Sequence, residues 1–132
     1  MNIHCYFSEL LGKTLKSVTV GAGNDGEEIR FVCEDGSIYI QYHSQDCCES
    51  VYIDDIEGDL NDLVGSPILV ADESTNRDNP KHYSEDPRCS YNEESCTWTF
   101  YKLATVKGYV TIRWYGSSNG CYSESVDFKQ IA

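Results

Sequence analysis

The chain has 132 residues, with 22 acids against 10 Lys and Arg and a formal net charge of −12. That length suits one domain with one core, residues 1–132, and 40% apolar content with ten Tyr, four Phe and two Trp excludes a disordered chain. The charge argues against non-specific nucleic-acid binding, which needs clustered Lys and Arg, and no apolar run approaches the roughly 20 residues of a membrane span.

The N-terminal stretch Met1–Glu9 has neither the basic nor the apolar region of a signal peptide, so a cytoplasmic protein is expected. Leu15 to Val20 is β-branched and alternating, as in a strand. Glu28 to Cys33 and Ser37 to Tyr42 flank Glu34-Asp35-Gly36, and Asp-Gly between apolar runs is a strong hairpin signal. Ser50 to Asp54 reads as a further short strand. Asp59 to Val64 suits one or two helical turns with Asp59 as N-cap. Pro67 to Ala71 reads as a strand that opens on proline, where no ladder bond is lost. The polar stretch from Ser74 to Glu94, with Pro80 and Pro87, is a long loop. Cys96 to Ala104, Tyr109 to Tyr115 and Cys121 to Phe128 then predict an antiparallel meander. The expected class is α+β: mostly antiparallel β-sheet, one or two short helices and a long zinc-tied loop.

A weak internal repeat runs through this order. Glu9-Leu10-Leu11-Gly12-Lys13-Thr14-Leu15 matches Asp62-Leu63-Val64-Gly65-Ser66-Pro67-Ile68 in residue type. A short helix closed by a glycine cap, then a strand, accounts for both copies without any binding site.

Seven cysteines in a cytoplasmic chain point to buried thiols or metal ligands, since a reducing compartment disfavours a disulfide framework. Residues 42–49 read Tyr-His-Ser-Gln-Asp-Cys-Cys-Glu, which sets one imidazole close to two thiols. Imidazole and thiolate are the donors zinc prefers. His43 with Cys47 or Cys48 would form half of a tetrahedral site, one of the two thiols ligating while its neighbour packs in the core. Cys89 and Cys96 would complete it, with His82 as an alternative, and the metal would order the long loop. The six residues between Cys89 and Cys96 are wider than in a zinc knuckle, and a thiolate-rich shell favours a structural ion over a catalytic one. Free thiols are the competing reading.

The chain has no Lys or Arg between Arg30 and Arg77, while that stretch holds eleven acids. A one-sign block of this kind suits a basic partner surface. Asp54, Asp55, Glu57, Asp59 and Asp62 form its densest part, and they lack the register of a calcium-binding EF-hand loop. A solvated face that serves solubility alone is the plainer alternative.

Residues Tyr42 to Ile56, Gly58 to Ile68 and Thr97 to Gly116 resemble a family of small uncharacterised bacteriophage and prophage proteins that carry a His-x3-Cys-Cys element. The resemblance spans Leu10 to Phe128 and supports His43, Cys47 and Cys48 as a site. Small acidic phage proteins without enzymatic motifs are similar in kind to inhibitors of host defence, including anti-CRISPR proteins. The resemblance therefore implies a non-enzymatic inhibitor in the host cytoplasm. It would bind a CRISPR RNA-guided nuclease through its acidic surface and block loading of target DNA, with no direct nucleic-acid contact and with zinc as structural cofactor. Two readings stand against it: a zinc-dependent hydrolase of a small or nucleotide substrate using Asp46 or Glu49 as base, and a phage accessory protein with no defence role.

Overall fold

In the computed structural model, residues 3–23, 26–75, 95–118 and 123–132 are described. Nine strands, β1 (Ile3–His4), β2 (Leu15–Gly23), β3 (Gly26–Cys33), β4 (Ile38–Tyr42), β5 (Ser50–Glu57), β6 (Val70–Thr75), β7 (Ser95–Thr105), β8 (Gly108–Ser118) and β9 (Asp127–Gln130), are joined by two one-turn 3-10 helices among these residues. The helices are η1 (Phe7–Leu10) and η2 (Leu60–Leu63). The strands form two antiparallel sheets, a five-stranded one of order β1-β9-β4-β3-β2 and a four-stranded one of order β5-β8-β7-β6.

The two sheets close over a shared core. Alternate residues Ile29, Phe31 and Cys33 of β3 face Val110, Ile112 and Trp114 of β8, Tyr101 and Leu103 of β7, and Leu63 and Ile68 of the η2 segment. This is the period-two pattern of a half-buried sheet. Phe7 from η1 inserts at the aromatic centre of that core, with ring centroids 4.7 Å from Tyr101, 5.4 Å from Phe128 and 6.3 Å from Phe31. Tilted and edge-on pairs at these spacings suit the ring quadrupoles.

The internal repeat is structural, and the tertiary fold gives it a geometry. The order strand, 3-10 turn, three-strand meander occurs twice, as β1-η1-β2-β3-β4 and as β5-η2-β6-β7-β8. The two copies grip each other through equivalent bonds. The Gly12 N–H donates to the Ile68 carbonyl at 2.8 Å, and the Gly65 N–H donates to the Leu15 carbonyl at 2.9 Å. Gly12 corresponds to Gly65 and Leu15 to Ile68, so the pair of bonds has approximate two-fold symmetry. Thr14 and Pro67, which also correspond, bridge each other at its centre. Both glycines adopt positive φ, +84° and +86°, the left-handed conformation glycine supplies without steric cost. Leu10, Leu63 and Leu15 are fully buried and Ile68 is 1% exposed.

Several expectations are corrected. The helical segments are single 3-10 turns, and no α-helix occurs among the described residues. A turn of four residues cannot outlast its capping bonds. Asp59 does cap η2, accepting from the Asn61 N–H at 2.9 Å. The meander of the last three strands holds for β7 and β8 only. Its expected third member lies in the other sheet, where β9 begins at Asp127 and pairs with β4 and β1. It fills the place between β1 and β4 that has no counterpart in the second unit, where β5 pairs β8 directly. The strand expected at Pro67–Ala71 begins at Val70, with Pro67 in an isolated bridge. Of the loop expected from Ser74 to Glu94, Ser74 and Thr75 belong to β6, and residues 76–94 lie outside the described residues. No helix among the described residues is long and apolar enough to cross a membrane.

Candidate functional site

The link from β4 to β5 joins the two repeat units, and it carries the His-x3-Cys-Cys element. His43 is 3% exposed at the end of β4. Its Nδ1 lies 2.6 Å from the Ser125 carbonyl and its Nε2 lies 2.7 Å from Oε2 of Glu49. A carbonyl oxygen cannot donate, and an ionised carboxylate cannot either. Both bonds therefore form together when the ring carries both protons.

Glu49 is the centre of this link. Its carboxylate accepts the backbone N–H of Asp46 and of Cys47, each at 2.9 Å, in addition to the His43 ring. Burial raises the carboxyl, but the Cys47 and Asp46 amides and His43 outweigh it and hold the group down at about 2. Gln45 adds a bond from its Nε2 to the Glu49 carbonyl at 2.8 Å. The result is a short link laced to its own carboxylate and, through His43, to the segment that leads into β9.

Cys47 and Cys48 lie exposed at the tip of this link, and their sulfurs are bonded to each other. Cys96 is disulfide-bonded as well. Cys5 and Cys33 are free thiols; the Cys33 thiol is pushed up by burial, which makes it inert, as expected of a core residue. Cys89 and His82 lie outside the described residues. In this structure both nitrogens of His43 have protein partners, and the sulfurs of Cys47, Cys48 and Cys96 are disulfide-bonded. Among the described residues, no group of three or more His, Cys, Asp or Glu is placed to hold a metal ion. Sequence reasoning missed Glu49 as the partner of His43. The spacing of six residues was visible, but nothing in one dimension shows that the link folds back on itself.

The acidic block divides by role. Asp54 accepts from Arg113 Nε at 2.7 Å, an ion pair on the outer face of the four-stranded sheet. Asp59 is spent in part on the η2 cap. Asp62 is half-buried, with its carbonyl accepting from the Thr105 hydroxyl and its carboxylate against Gly108. Asp55 and Glu57 remain exposed on β5, and they make no ion pair among the described residues. With Phe100, Thr111 and Arg113 they line a small open cavity of about 110 Å³. Of the five acids expected on one surface, Asp55, Glu57 and Asp59 are exposed, while Asp54 and Asp62 are half-buried.

Other buried polar groups are structural. Glu124 accepts from the Thr97 hydroxyl at 2.8 Å and from the Ser118 hydroxyl. It packs over Gly116, where a Cβ would come within 2.9 Å of its own. Trp114 Nε1 donates to Gln41 Oε1 at 2.6 Å across the core. The Tyr101 hydroxyl donates to Glu73 at 3.0 Å, and burial pushes that phenol far above its ordinary range.

No curated protein and no solved structure matches this chain. A family model does match, over residues 8–128, which takes in β2 to β8, the His43–Glu49 link and the acidic strand. The chain belongs to the family described as Domain of unknown function (DUF7448).

Proposed function

We infer that this chain is a binding protein that engages a basic protein surface through the acidic edge of its four-stranded sheet. The observation that carries this reading is the pair of exposed carboxylates Asp55 and Glu57 on edge strand β5, which make no ion pair among the described residues, with exposed Asp59 just beyond them. A net charge of −12 adds a long-range attraction to any positive surface. The partner chemistry that fits is a Lys- and Arg-lined channel that ordinarily holds nucleic acid. The resemblance to small phage proteins makes the specific form of the proposal an inhibitor of host defence, phage-encoded and of the anti-CRISPR kind. Docked beside the channel of an RNA-guided nuclease, it would exclude target DNA by occupying the phosphate-binding groups.

The test is a double charge reversal, Asp55→Lys with Glu57→Lys, assayed for binding to and inhibition of purified RNA-guided nucleases. Both positions are exposed on the outer part of β5, so the variant is expected to keep its circular dichroism spectrum and melting temperature. Inhibition is expected to fall at least about tenfold, the loss of roughly 1.4 kcal/mol of interface energy. Full inhibition by the folded double variant would sink the acidic-edge mechanism. Absence of inhibition by the wild-type protein across the nucleases tried would remove the defence reading.

A further inference from the structure

Among the described residues four strands are sheet edges: β1 and β2 in the five-stranded sheet, β5 and β6 in the four-stranded one. An open edge offers unpaired N–H and C=O groups to any passing strand, and folded proteins guard against that with charge, bulges or shortness. Three of the four edges are guarded here. β1 has two residues, β5 carries Asp54, Asp55 and Glu57 and a bulge between Ile53 and Asp55, and β6 carries Asp72 and Glu73.

The stretch Ser17–Gly23 of β2 has none of these guards. It reads Ser-Val-Thr-Val-Gly-Ala-Gly, without a charge or a proline, and pairs with β3 in unbroken register from Ser17–Val32 to Gly23–Gly26. Among the described residues its backbone bonds to β3 alone, whereas the beginning of the strand is covered by the Gly65–Leu15 bond and the Leu15–Val64 bridge. Thr19, Gly21 and Ala22 are exposed, and Val20 is 44% exposed. The internal repeat sharpens the contrast. Thr19 and Val20 correspond to Asp72 and Glu73 in the second unit, so the same edge carries two acids in one copy and none in the other.

We propose that residues 17–21 of β2 are a self-association edge, which pairs antiparallel with β2 of a second copy about a two-fold axis at Thr19. Charge selects this occupant. Two chains of net charge −12 repel over most of their surfaces; residues 17–23 carry no charge, and at their margin Lys16 of one copy can face Glu27 of the other. Pairing about Thr19 sets Val18 of each copy opposite Val20 of the other, extending the apolar row that begins at the core and covering the exposed Val20. Just beyond the paired segment, Lys16, at the bulge between Leu15 and Ser17, lies at the level of Ala22 and Glu27 of the other copy, since Ala22 pairs with Glu27 across β2 and β3. Lys16 and Glu27 are both exposed, and the small Ala22 between them leaves room for cation and carboxylate to approach. The interface is isologous and closes at two copies, joining two five-stranded sheets into one continuous sheet.

Sedimentation velocity over a micromolar concentration series tests this on the full chain. The wild type is expected to pass from monomer to dimer as concentration rises. Thr19→Lys and Thr19→Glu each place like charges directly opposite across the axis, so each is expected to remain monomeric with an unchanged circular dichroism spectrum. An equimolar mixture of the two variants is expected to recover a dimer, because Lys then faces Glu. A wild type monomeric throughout, a single variant that still dimerises, or a mixture that stays monomeric would each overturn the proposal. Capture of an extended peptide by a monomeric wild type would overturn it too, assigning the edge to a foreign strand.

Discussion

Glu49 shows how much one side chain decides when a link between two units must fold back on itself. It accepts from two backbone amides and one imidazole while almost wholly buried, and those donors hold its carboxyl at about 2, below its ordinary value of 4.5. A folded-state value below the unfolded one means the stabilisation is complete above pH 4.5 and is lost as pH falls toward 2. Thermal melts across that window are expected to show a falling melting temperature, with Glu49→Gln lower than wild type at neutral pH and with a shallower acid dependence. Wild-type and variant curves that ran parallel across the window would show that Glu49 does not titrate in the way its contacts require. Two features of this residue were legible in different degrees. The acid was plain in the sequence, but its partner His43 stood out as a metal donor. The reason is that imidazole chemistry is the same whichever partner the fold supplies.

Among the elements, the two 3-10 turns and their glycines were the part of the fold most visible beforehand. A repeat of acid, two aliphatics and glycine fixes a cap because only glycine enters the left-handed region cheaply, and this physics is local. The reciprocal grip of the two copies was not visible, since a hydrogen bond between residues 12 and 68 depends on the packing of both units. Glycine substitutions separate the two contributions. At Gly12 a Cβ meets nothing within 4 Å, so Gly12→Ala is expected to cost about 1 kcal/mol from the backbone conformation alone. At Gly58, with φ +101°, a Cβ would stand 2.6 Å from the Tyr109 carbonyl and 3.2 Å from Val110. Gly58→Ala is therefore expected to be clearly more destabilising than Gly12→Ala in urea unfolding. Equal costs would mean that the close approach of η2's leading segment to β8 relaxes freely. The misplaced last strand has a related cause. Residues 121–128 continue the alternation of β7 and β8, and alternation reports a strand without reporting which sheet it joins.

For the whole molecule, charge and shape work on different surfaces. The exposed acids Asp55 and Glu57 lie on β5 and Asp72 and Glu73 on β6, whereas the uncharged stretch Ser17–Gly23 lies on β2. The two proposed interactions should therefore respond oppositely to salt. Binding to a basic partner is expected to lose association rate steeply as ionic strength rises past about 0.1 M, where the screening length is roughly 10 Å. Pairing of β2 with its copy is expected to hold or strengthen over the same range, because salt screens the repulsion between two chains of net charge −12. Surface plasmon resonance for the first and sedimentation for the second would read this. Parallel salt dependence would show that one surface serves both.

The sequence by itself determined most of the strands, the Asp-Gly hairpin, the glycine-capped turns, the repeat and the acidic block. Each follows from periodicity, propensity or composition within a few residues. Tertiary structure alone decided that the repeat units clasp, that β9 completes the first sheet and that His43 meets Glu49. It also decided which carboxylates stay exposed. Those outcomes depend on contacts between residues tens of positions apart, and residue type along a chain carries no record of which distant group closes each bond.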